Sequence, residues 1–308
     1  MSASFPDDAA TWPNGSTTSL HRSARDPRAE GRYERTATIY LQSIRFFGQW
    51  LEAQDRPATL DQLTRSAIRA WLAGLADVHQ PGTVRTRYKG LRRFCRWLLA
   101  EGEVDVDPMA GMDVPAVVDK PVPVLDDAEL AALLKACQGK TIVDRRDEAV
   151  IRLLLDTGCR VSELCGITLD DLDLDHELVI VTGKGRKTRP VYFGARTARA
   201  IDRYMRERRG HRYAHSPALF LSQRGSLSPD GVRDILTRRA RLAGLTGLNP
   251  HRFRHTFAHD FLLAGGQERD LKRLAGWSSD VMLERYGSSA ADVRAREAVK
   301  RMRRGDRV

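Results

Sequence analysis

Four prolines, at positions 108, 115, 121 and 123, prevent a helix from running through the middle of this 308-residue chain. Proline has no backbone N–H and a fixed φ, so it interrupts helices and stiffens extended segments. A chain of this length also suits two domains of about 100–200 residues each. We therefore predict a linker at residues 103–124, able to span roughly 3.3 Å per residue when extended.

The part before the linker has a helical pattern. Residues 1–30 are rich in Ser, Pro, Asp and Ala without periodicity, which predicts a mobile tail. Apolar residues then recur at helical spacing, and we predict a small helical domain at residues 31–102. Its three helices are predicted at 36–54, 61–76 and 81–102, with Thr36 and Asp61 as candidate N-caps of the first two.

The part after the linker, residues 125–308, mixes helices with short strands. A capped helix is predicted at 126–139, and a buried apolar run near 149–155 leads through Gly158 into another helix. The segment 178–193 alternates like an antiparallel hairpin. A helix at 195–209, a short strand "LFLS" at 219–222 and a helix at 228–243 are predicted after it. The predicted fold class is mainly α: an N-terminal helical domain, then an α+β domain with a small antiparallel sheet.

Positive charge is unevenly distributed. Residues 1–119 carry 15 Lys and Arg against 15 Asp and Glu, whereas residues 120–308 carry 36 against 25. Within the neutral part, the stretch 84–96 still has six basic residues and no acid. Such surfaces usually bind polyanions, above all nucleic acid, although solvated helix faces are the alternative. The six candidate contacts are Arg85, Arg87, Lys89, Arg92, Arg93 and Arg96.

Several classes of protein are disfavoured. No stretch approaches the roughly 18 apolar residues of a membrane span, and the N-terminus lacks the pattern of a signal peptide. The four cysteines form no CxxC pair, so we predict reduced, mostly buried thiols and neither a disulfide framework nor a zinc site. A soluble, cytoplasmic protein associated with the nucleoid is expected.

Four motifs follow one another in the second part of the chain: "TGCRVSELCGI", "TGKGRKTRPV", "NPHRFRHTFAHDFLLAGG" and "LAGWSSDVMLERYGS". In order and spacing they resemble the catalytic motifs of the tyrosine recombinases, the family of phage integrases and Xer-type resolvases. The resemblance covers residues 126 to about 290, and the helical domain looks like that family's core-binding domain. It implies the catalytic set Arg160, Lys184, His251, Arg254, Trp277 and Tyr286.

The chemistry of a phosphodiester explains the two arginines. Attack on the phosphate builds further negative charge on its oxygens, which preorganised cations stabilise. A guanidinium offers a planar, permanently charged fork that grips two oxygens. The resemblance places Arg160 and Arg254 in this role, although either alone would ordinarily be an exposed or structural arginine.

The resemblance also assigns the proton transfers. His251, three residues before Arg254, matches the general acid/base, and Lys184 matches the hairpin lysine that protonates the departing 5′-oxygen. Arg186 and Lys187 are then phosphate contacts. His255 and His259 extend a ladder from His251 that could hold a metal, but the motif makes His255 a support residue. Neither a metal nor ATP is expected.

Trp277 and Tyr286 complete the set. Most relatives have histidine where this chain has Trp277, and an indole can donate a hydrogen bond but cannot accept a proton. Trp277 is thus expected to donate to the phosphate, with a core tryptophan as the alternative. A lone tyrosine is usually a packing residue, but Tyr286 stands nine residues after Trp277, at the position of the family's nucleophile.

The resemblance implies a site-specific DNA recombinase, and the integration or excision of a mobile element is the expected role. The alternatives are a Xer-like resolvase of DNA dimers, a type IB topoisomerase or telomere resolvase, and a non-catalytic DNA-binding regulator. Expected partners are double-stranded DNA with specific core sites, three further copies in a tetramer, and accessory DNA-bending proteins.

The C-terminal segment 289–308 carries a predicted amphipathic helix at 291–304. A short helix is marginal in water by itself, so its apolar face should be buried. In relatives this segment docks on a neighbouring protomer, and we expect an exchange helix here too, with docking on its own domain as the alternative.

Overall fold

The computed structural model describes residues 33–116, 123–183 and 185–277, and in the C-terminal segment residues 283, 291, 294–296, 298–302 and 305. For residues 33–39 the description is limited to the backbone. The chain divides into two compact units near residue 120.

The first unit is helical. It contains α1 (Tyr33–Glu52), a 3-10 turn (Leu60–Gln62), α2 (Arg65–Val78) and α3 (Pro81–Ala100). Thr36 lies inside α1, so the prediction that it caps this helix was wrong. Asp61 belongs to the 3-10 turn, and α2 is capped instead by Thr64, whose hydroxyl accepts a hydrogen bond from the N–H of Ala67.

The core of the first unit lies between its three helices and extends into the segment predicted as linker. Phe47 and Trp71 pack edge to face, with ring centroids 5.3 Å apart. Met109 and Met112 are buried in the same core, and the Tyr88 hydroxyl donates a hydrogen bond of 2.5 Å to the Met112 carbonyl. The first part of the predicted linker is therefore packed against the helices.

The second unit surrounds a small sheet with helices. The sheet has the order β1 (Leu172–Asp173), β2 (Leu178–Thr182) and β3 (Thr188–Tyr192), with antiparallel neighbours, and Val179 pairs with Val191. A separate ribbon pairs β4 (Leu221–Ser222) with β5 (Gly225–Ser226). The predicted short strand at 219–222 corresponds to β4, and β5 was not predicted. The mainly helical fold with a small antiparallel sheet is confirmed. The elements are α4 (Asp127–Lys135), α5 (Ile142–Thr157), α6 (Val161–Cys165), β1 (Leu172–Asp173), β2 (Leu178–Thr182), β3 (Thr188–Tyr192), α7 (Ala195–Arg208), β4 (Leu221–Ser222), β5 (Gly225–Ser226), α8 (Pro229–Leu242), α9 (Pro250–Leu263) and α10 (Glu268–Ala275).

Helix α5 is the centre of the second core. Its side chains Val150, Leu153 and Leu154 are fully buried, and α7 and α9 pack against it. The helix ends at Gly158, whose φ of 54° suits glycine. A Cβ at this position would lie 2.5 Å from the ring of Phe257 on α9. Because only glycine fits against Phe257 here, α5 ends at this position and the short turn into α6 follows.

A buried ion pair joins α5 to α8. Arg239 donates to Asp147 at 2.8 Å, to Asp144 at 2.9 Å and to the Ala136 carbonyl at 2.7 Å. Asp147 is fully buried and Arg239 is 5% exposed, so each charge depends on the other.

The beginning of the second unit is held against α9 by hydrogen bonds. Arg252 of α9 donates to the carbonyls of Pro123 and Val124, and the Leu125 N–H donates to the Thr256 hydroxyl. The predicted linker, residues 103–124, is therefore attached at both described ends. Within the residues that the structure describes, no helix is long and apolar enough to cross a membrane.

Candidate active site

The centre of the candidate site is the carboxylate of Glu163, which is 2% exposed. Arg160 immediately precedes α6, and its backbone N–H donates to Glu163 Oε2 at 2.8 Å. Its guanidinium donates to Oε1 of the same carboxylate at 2.8 Å. Arg189, on β3, binds both oxygens, at 3.0 Å and 2.8 Å. One carboxylate thus holds two arginines.

Glu163 is ionised across the physiological range. Burial alone would raise the pKa of its carboxyl group, but the hydrogen bonds and charge of Arg189 and the hydrogen bonds of Arg160 outweigh burial. The pKa falls to about 2. The site therefore contains a permanent buried anion beside its arginines.

Arg254 enters the site from α9 and is 4% exposed. It donates to the Gly158 carbonyl at 2.6 Å and to the Ala275 carbonyl. Its guanidinium carbon also lies 5.3 Å from the centre of the Trp277 ring, a cation–π distance. These contacts fix Arg254 between the end of α5 and the end of α10.

Three consecutive carbonyls at the end of α10 accept hydrogen bonds from three arginines. Leu274 accepts from Arg189 at 2.7 Å, Ala275 accepts from Arg254, and Gly276 accepts from Arg160 at 3.2 Å. The last carbonyls of a helix lack partners within it and form the negative end of its dipole. The end of α10 therefore brings Arg160 and Arg254 together.

Trp277 follows directly and is 6% exposed. It packs in a cluster with Leu271 and Ala275 of α10 and Ala258 and Leu262 of α9. The position thus has the packing that the core alternative requires, while the ring also contacts Arg254. A hydrogen bond from Trp277 to a phosphate stays a prediction.

His251 lies in the first turn of α9 and is exposed, whereas Arg254 and His255 are buried. The helix begins with Pro250, and the Asn249 side chain caps it by accepting from the N–H groups of His251 and Arg252. His251 therefore stands one turn from Arg254 on the same rigid helix. Among the described residues, no group of three or more His, Cys, Asp or Glu side chains could hold a metal ion.

The hairpin β2–β3 carries the predicted basic loop. The Gly183 N–H donates to the Lys187 carbonyl at 2.8 Å, and Arg186 and Lys187 are exposed. Gly185 and Arg186 both have positive φ, 80° and 57°, which turns the loop sharply. Lys184 and Tyr286 lie outside the described residues, so their predicted roles are not tested by the geometry.

The basic face predicted on the first unit is partly gathered into a cavity of about 320 Å³. Lys89, Arg92, Arg93 and Arg96 line it, together with Tyr40, Tyr88 and Val114. Arg87 instead stacks on Phe46, with its guanidinium carbon 4.3 Å from the ring centre, and Arg85 is exposed on α3. The six residues therefore share a helix without forming a single cluster.

Sequence reasoning missed Glu163 and Arg189. Glu163 stands three residues after Arg160, the spacing at which a side chain reaches back to the first residue of a helix. That spacing could have identified it. Arg189 is inside the quoted motif "TGKGRKTRPV", but in a chain with 51 Lys and Arg nothing distinguishes it by pattern.

Comparison with known proteins agrees with these motifs. The model of the phage integrase family matches residues 123–292. The tyrosine recombinase XerC of Mycobacterium leprae is 34% identical over 268 residues, which cover 83% of this chain and 89% of the relative. The chain belongs to the phage integrase family, the tyrosine recombinases. It is a strand-exchange enzyme of that family, and the predicted family resemblance is confirmed.

Further relatives and solved structures are consistent with this membership. XerC of Mycobacterium tuberculosis (strain CDC 1551 / Oshkosh) is 35% identical over 275 residues, covering 83% of this chain and 88% of the relative. The structure of XerH site-specific recombinase, bound to a palindromic difH substrate in a post-cleavage complex, matches with a TM-score of 0.71. The match covers 85% of this chain and 79% of XerH at 16% identity, a likeness of fold.

Proposed function

We propose that this tyrosine recombinase cuts and rejoins DNA at a specific site through a covalent bond between Tyr286 and a 3′-phosphate. The observation that carries the proposal is the meeting of Arg160 and Arg254 on the adjacent carbonyls of Gly276 and Ala275. Two guanidiniums fixed side by side suit a phosphate whose negative charge increases during the reaction. The motif tyrosine follows these carbonyls by ten residues.

The proposed reaction has two matching steps. In cleavage, the Tyr286 oxygen attacks phosphorus and the bond from phosphorus to the 5′-oxygen breaks. His251 takes the phenolic proton, and Lys184 gives a proton to the departing 5′-oxygen. In rejoining, a 5′-hydroxyl attacks the phosphotyrosine and the phenol leaves, with the protons moving in reverse. The number of phosphodiester bonds is restored without an external energy source.

Electrostatics explains why the arginines are held so firmly. Arg254 is buried with its guanidinium against backbone carbonyls and the Trp277 ring, so it needs little reorganisation when charge develops. Arg160 has a side chain that is 40% exposed, which leaves part of its fork accessible to a phosphate. Trp277 is proposed to donate from its indole N–H, and Arg186 and Lys187 to contact flanking phosphates.

The relatives favour one biological role over the other. Mobile-element integration or excision was the expectation from sequence, but the similar curated proteins are named XerC. We therefore propose an Xer-type recombinase that exchanges strands between two copies of its site and resolves multimeric DNA. The exchange requires four protomers on two duplexes, and accessory DNA-bending proteins are proposed to assist.

Substitution of the nucleophile tests the chemistry. Tyr286→Phe should bind its DNA with unchanged affinity and form no covalent adduct, because it lacks the attacking oxygen. Tyr192→Phe, at a tyrosine that is 55% exposed on β3, is the matched control and should form the adduct normally. An SDS-resistant protein–DNA band from Tyr286→Phe would refute the assignment.

The DNA itself can be identified from the same adduct. Genomic DNA trapped covalently on the wild-type protein, once sequenced, gives the site. A plasmid with two direct copies of that site should be resolved into two circles. Relaxation of a supercoiled plasmid that lacks the site would favour a topoisomerase, and failure of the wild type to form any adduct would favour a non-catalytic regulator.

A further inference from the structure

We propose that Arg189 is a positioning residue, which holds Arg160 in its reactive place through Glu163. The inference rests on the proposed function, because it concerns the same phosphate-binding arginine. Arg189 makes no proposed contact with DNA, and its side chain is 13% exposed against 40% for Arg160. Its effect on the reaction would therefore be exerted through its neighbours.

Arg189 binds one support of Arg160 directly and lies beside the other. Glu163 Oε1 accepts from Arg160 at 2.8 Å and from Arg189 at 3.0 Å. The second support, the carbonyl of Gly276, lies two residues beyond the Leu274 carbonyl that accepts from Arg189 at 2.7 Å. Arg189 also fills the space beside Gly276, where a Cβ would lie 2.9 Å from its guanidinium carbon.

The charge balance at Glu163 gives Arg189 its importance. Arg189 satisfies both carboxylate oxygens in a bidentate pair, the strongest geometry for an arginine and a carboxylate. Without it, the buried anion would have Arg160 as its remaining arginine partner and would draw that guanidinium inward. Arg160 would then have fewer donors and less charge directed at the phosphate.

Arg189 also connects Arg160 to the hairpin of the predicted general acid. It lies on β3, five residues after Lys184, and the strand pairs along its whole length with β2. The pair of Arg189 and Glu163 therefore joins the hairpin to α6 and α10. If the hairpin separated from the unit, Glu163 would lose its bond to Arg189, and Arg160 would lose the positioning that this bond provides.

A double-mutant cycle distinguishes positioning from a general contribution to folding. Single-turnover cleavage of the site DNA is measured at saturating protein for Arg189→Met, Arg160→Ala and the double variant. Arg189→Met should slow cleavage by about 100-fold, as expected for a misplaced reactive group. In the Arg160→Ala background it should add no more than about twofold, because its route of action has already been removed.

Arg239→Met is the matched control. Arg239 also pairs with a buried carboxylate, Asp147, and its other hydrogen bonds within the described part of the chain go to Asp144 and to the Ala136 carbonyl. Its loss should lower the melting temperature and change cleavage by the same factor with or without Arg160. If Arg189→Met behaves like this control, with equal factors in both backgrounds, it is a structural residue and the proposal fails.

Two additional measurements keep the test decisive. If Arg189→Met does not fold, Arg189→Lys retains a cation for Glu163 and should show the same dependence on Arg160 with a smaller loss. On DNA with a neutral methylphosphonate at the cut site, there is less charge for Arg160 to neutralise. The defect of Arg189→Met should shrink there, and a defect of equal size on both substrates overturns the proposal. Absence of cleavage by the wild type would instead refute the proposed function.

Discussion

At the scale of single residues, the end of α10 shows how a helix terminus can arrange cations. The carbonyls of Lys272 and Arg273 accept hydrogen bonds from the backbone N–H groups of Gly276 and Trp277. The next three carbonyls, those of the last two residues of the helix and of Gly276, accept from arginines instead. Gly276, with φ of 64°, makes the turn that exposes them. The positions of these three arginines therefore depend on an ordinary helix termination.

The charge of Glu163 gives a prediction for acid stability. Its folded pKa of about 2 lies below the ordinary value of 4.5, so its contribution is full above pH 4.5. As the pH falls from 4.5 toward 2, protonation removes that contribution and the free energy of unfolding decreases. Glu163→Gln should be less stable at pH 7 and should lose less stability on acidification.

Urea unfolding at a series of pH values provides the measurement. Asp170→Asn, at an exposed carboxylate, serves as the control and should follow the wild-type curve. If the free energy of unfolding of Glu163→Gln falls in parallel with that of the wild type between pH 4.5 and 2, Glu163 is not an ionised carboxylate stabilised by the two arginines.

Some residues of the candidate site could be predicted from the sequence and others could not. Arg160, His251 and Arg254 were predicted from motifs with fixed spacing, and the structure brings the two arginines together on adjacent carbonyls. Arg189 was missed because its importance comes from a contact with Glu163 across 26 positions of the chain. No local pattern encodes such a contact.

At the scale of elements, hydrogen bonds connect a basic residue of α3 to the segment that follows this helix. The Tyr88 hydroxyl donates to the Met112 carbonyl and accepts from Arg92 at 3.2 Å. Arg92 is thereby oriented by a residue that also fixes the chain after the helix. The cavity beside it, lined by four basic side chains, has the charge and curvature to receive a phosphate backbone.

The salt dependence of DNA binding tests this face. Binding through phosphates releases counterions, with a slope of about 0.9 per phosphate neutralised. Arg92→Ala with Arg93→Ala should therefore reduce the slope by roughly 1.8, as measured by fluorescence anisotropy across a salt series. The matched pair Arg65→Ala with Arg69→Ala, on exposed positions of α2, should leave it unchanged. Equal slopes for both double variants would place α3 away from the DNA.

Helix positions were largely predictable, whereas the 3-10 turn and strand β5 were not predicted. The predicted helix at 81–102 corresponds to α3, because Pro81 gives a clear start and its apolar residues recur regularly. The error at Asp61 arose because a capping-type residue can equally serve a 3-10 turn. The strand at 219–222 was predicted from its apolar run and corresponds to β4, whereas β5 has only two residues, Gly225 and Ser226, too few to show an alternating pattern.

At the scale of the whole molecule, the described part of the C-terminal segment forms an ion pair with α10 and also has exposed apolar side chains. Arg294 donates to Glu268 at 2.7 Å, while Val299 and Met302 are 63% and 59% exposed. Exposed apolar residues on a helical segment favour a partner surface. They support the proposal that this segment docks on a neighbouring protomer.

Removal of residues 290–308 should leave binding to a single site intact and abolish pairing of two sites. Native gels with one and two labelled duplexes measure both properties. The substitutions Val299→Asp and Met302→Asp, which retain Arg294, should have the same effect as the deletion. A truncated protein that still forms a four-protomer complex on two duplexes would rule out an exchange helix.

Each unit also contains at least one buried, free cysteine. Burial raises the pKa of Cys95 in the first unit to about 12, and in the second unit it raises the pKa of Cys137 to about 12 and of Cys159 to about 11. Alkylating reagents attack the thiolate, so these side chains react when the surrounding structure opens. The rate at which each cysteine is alkylated therefore reports how often its own unit opens, so the unaltered chain allows the dynamics of its two halves to be timed separately.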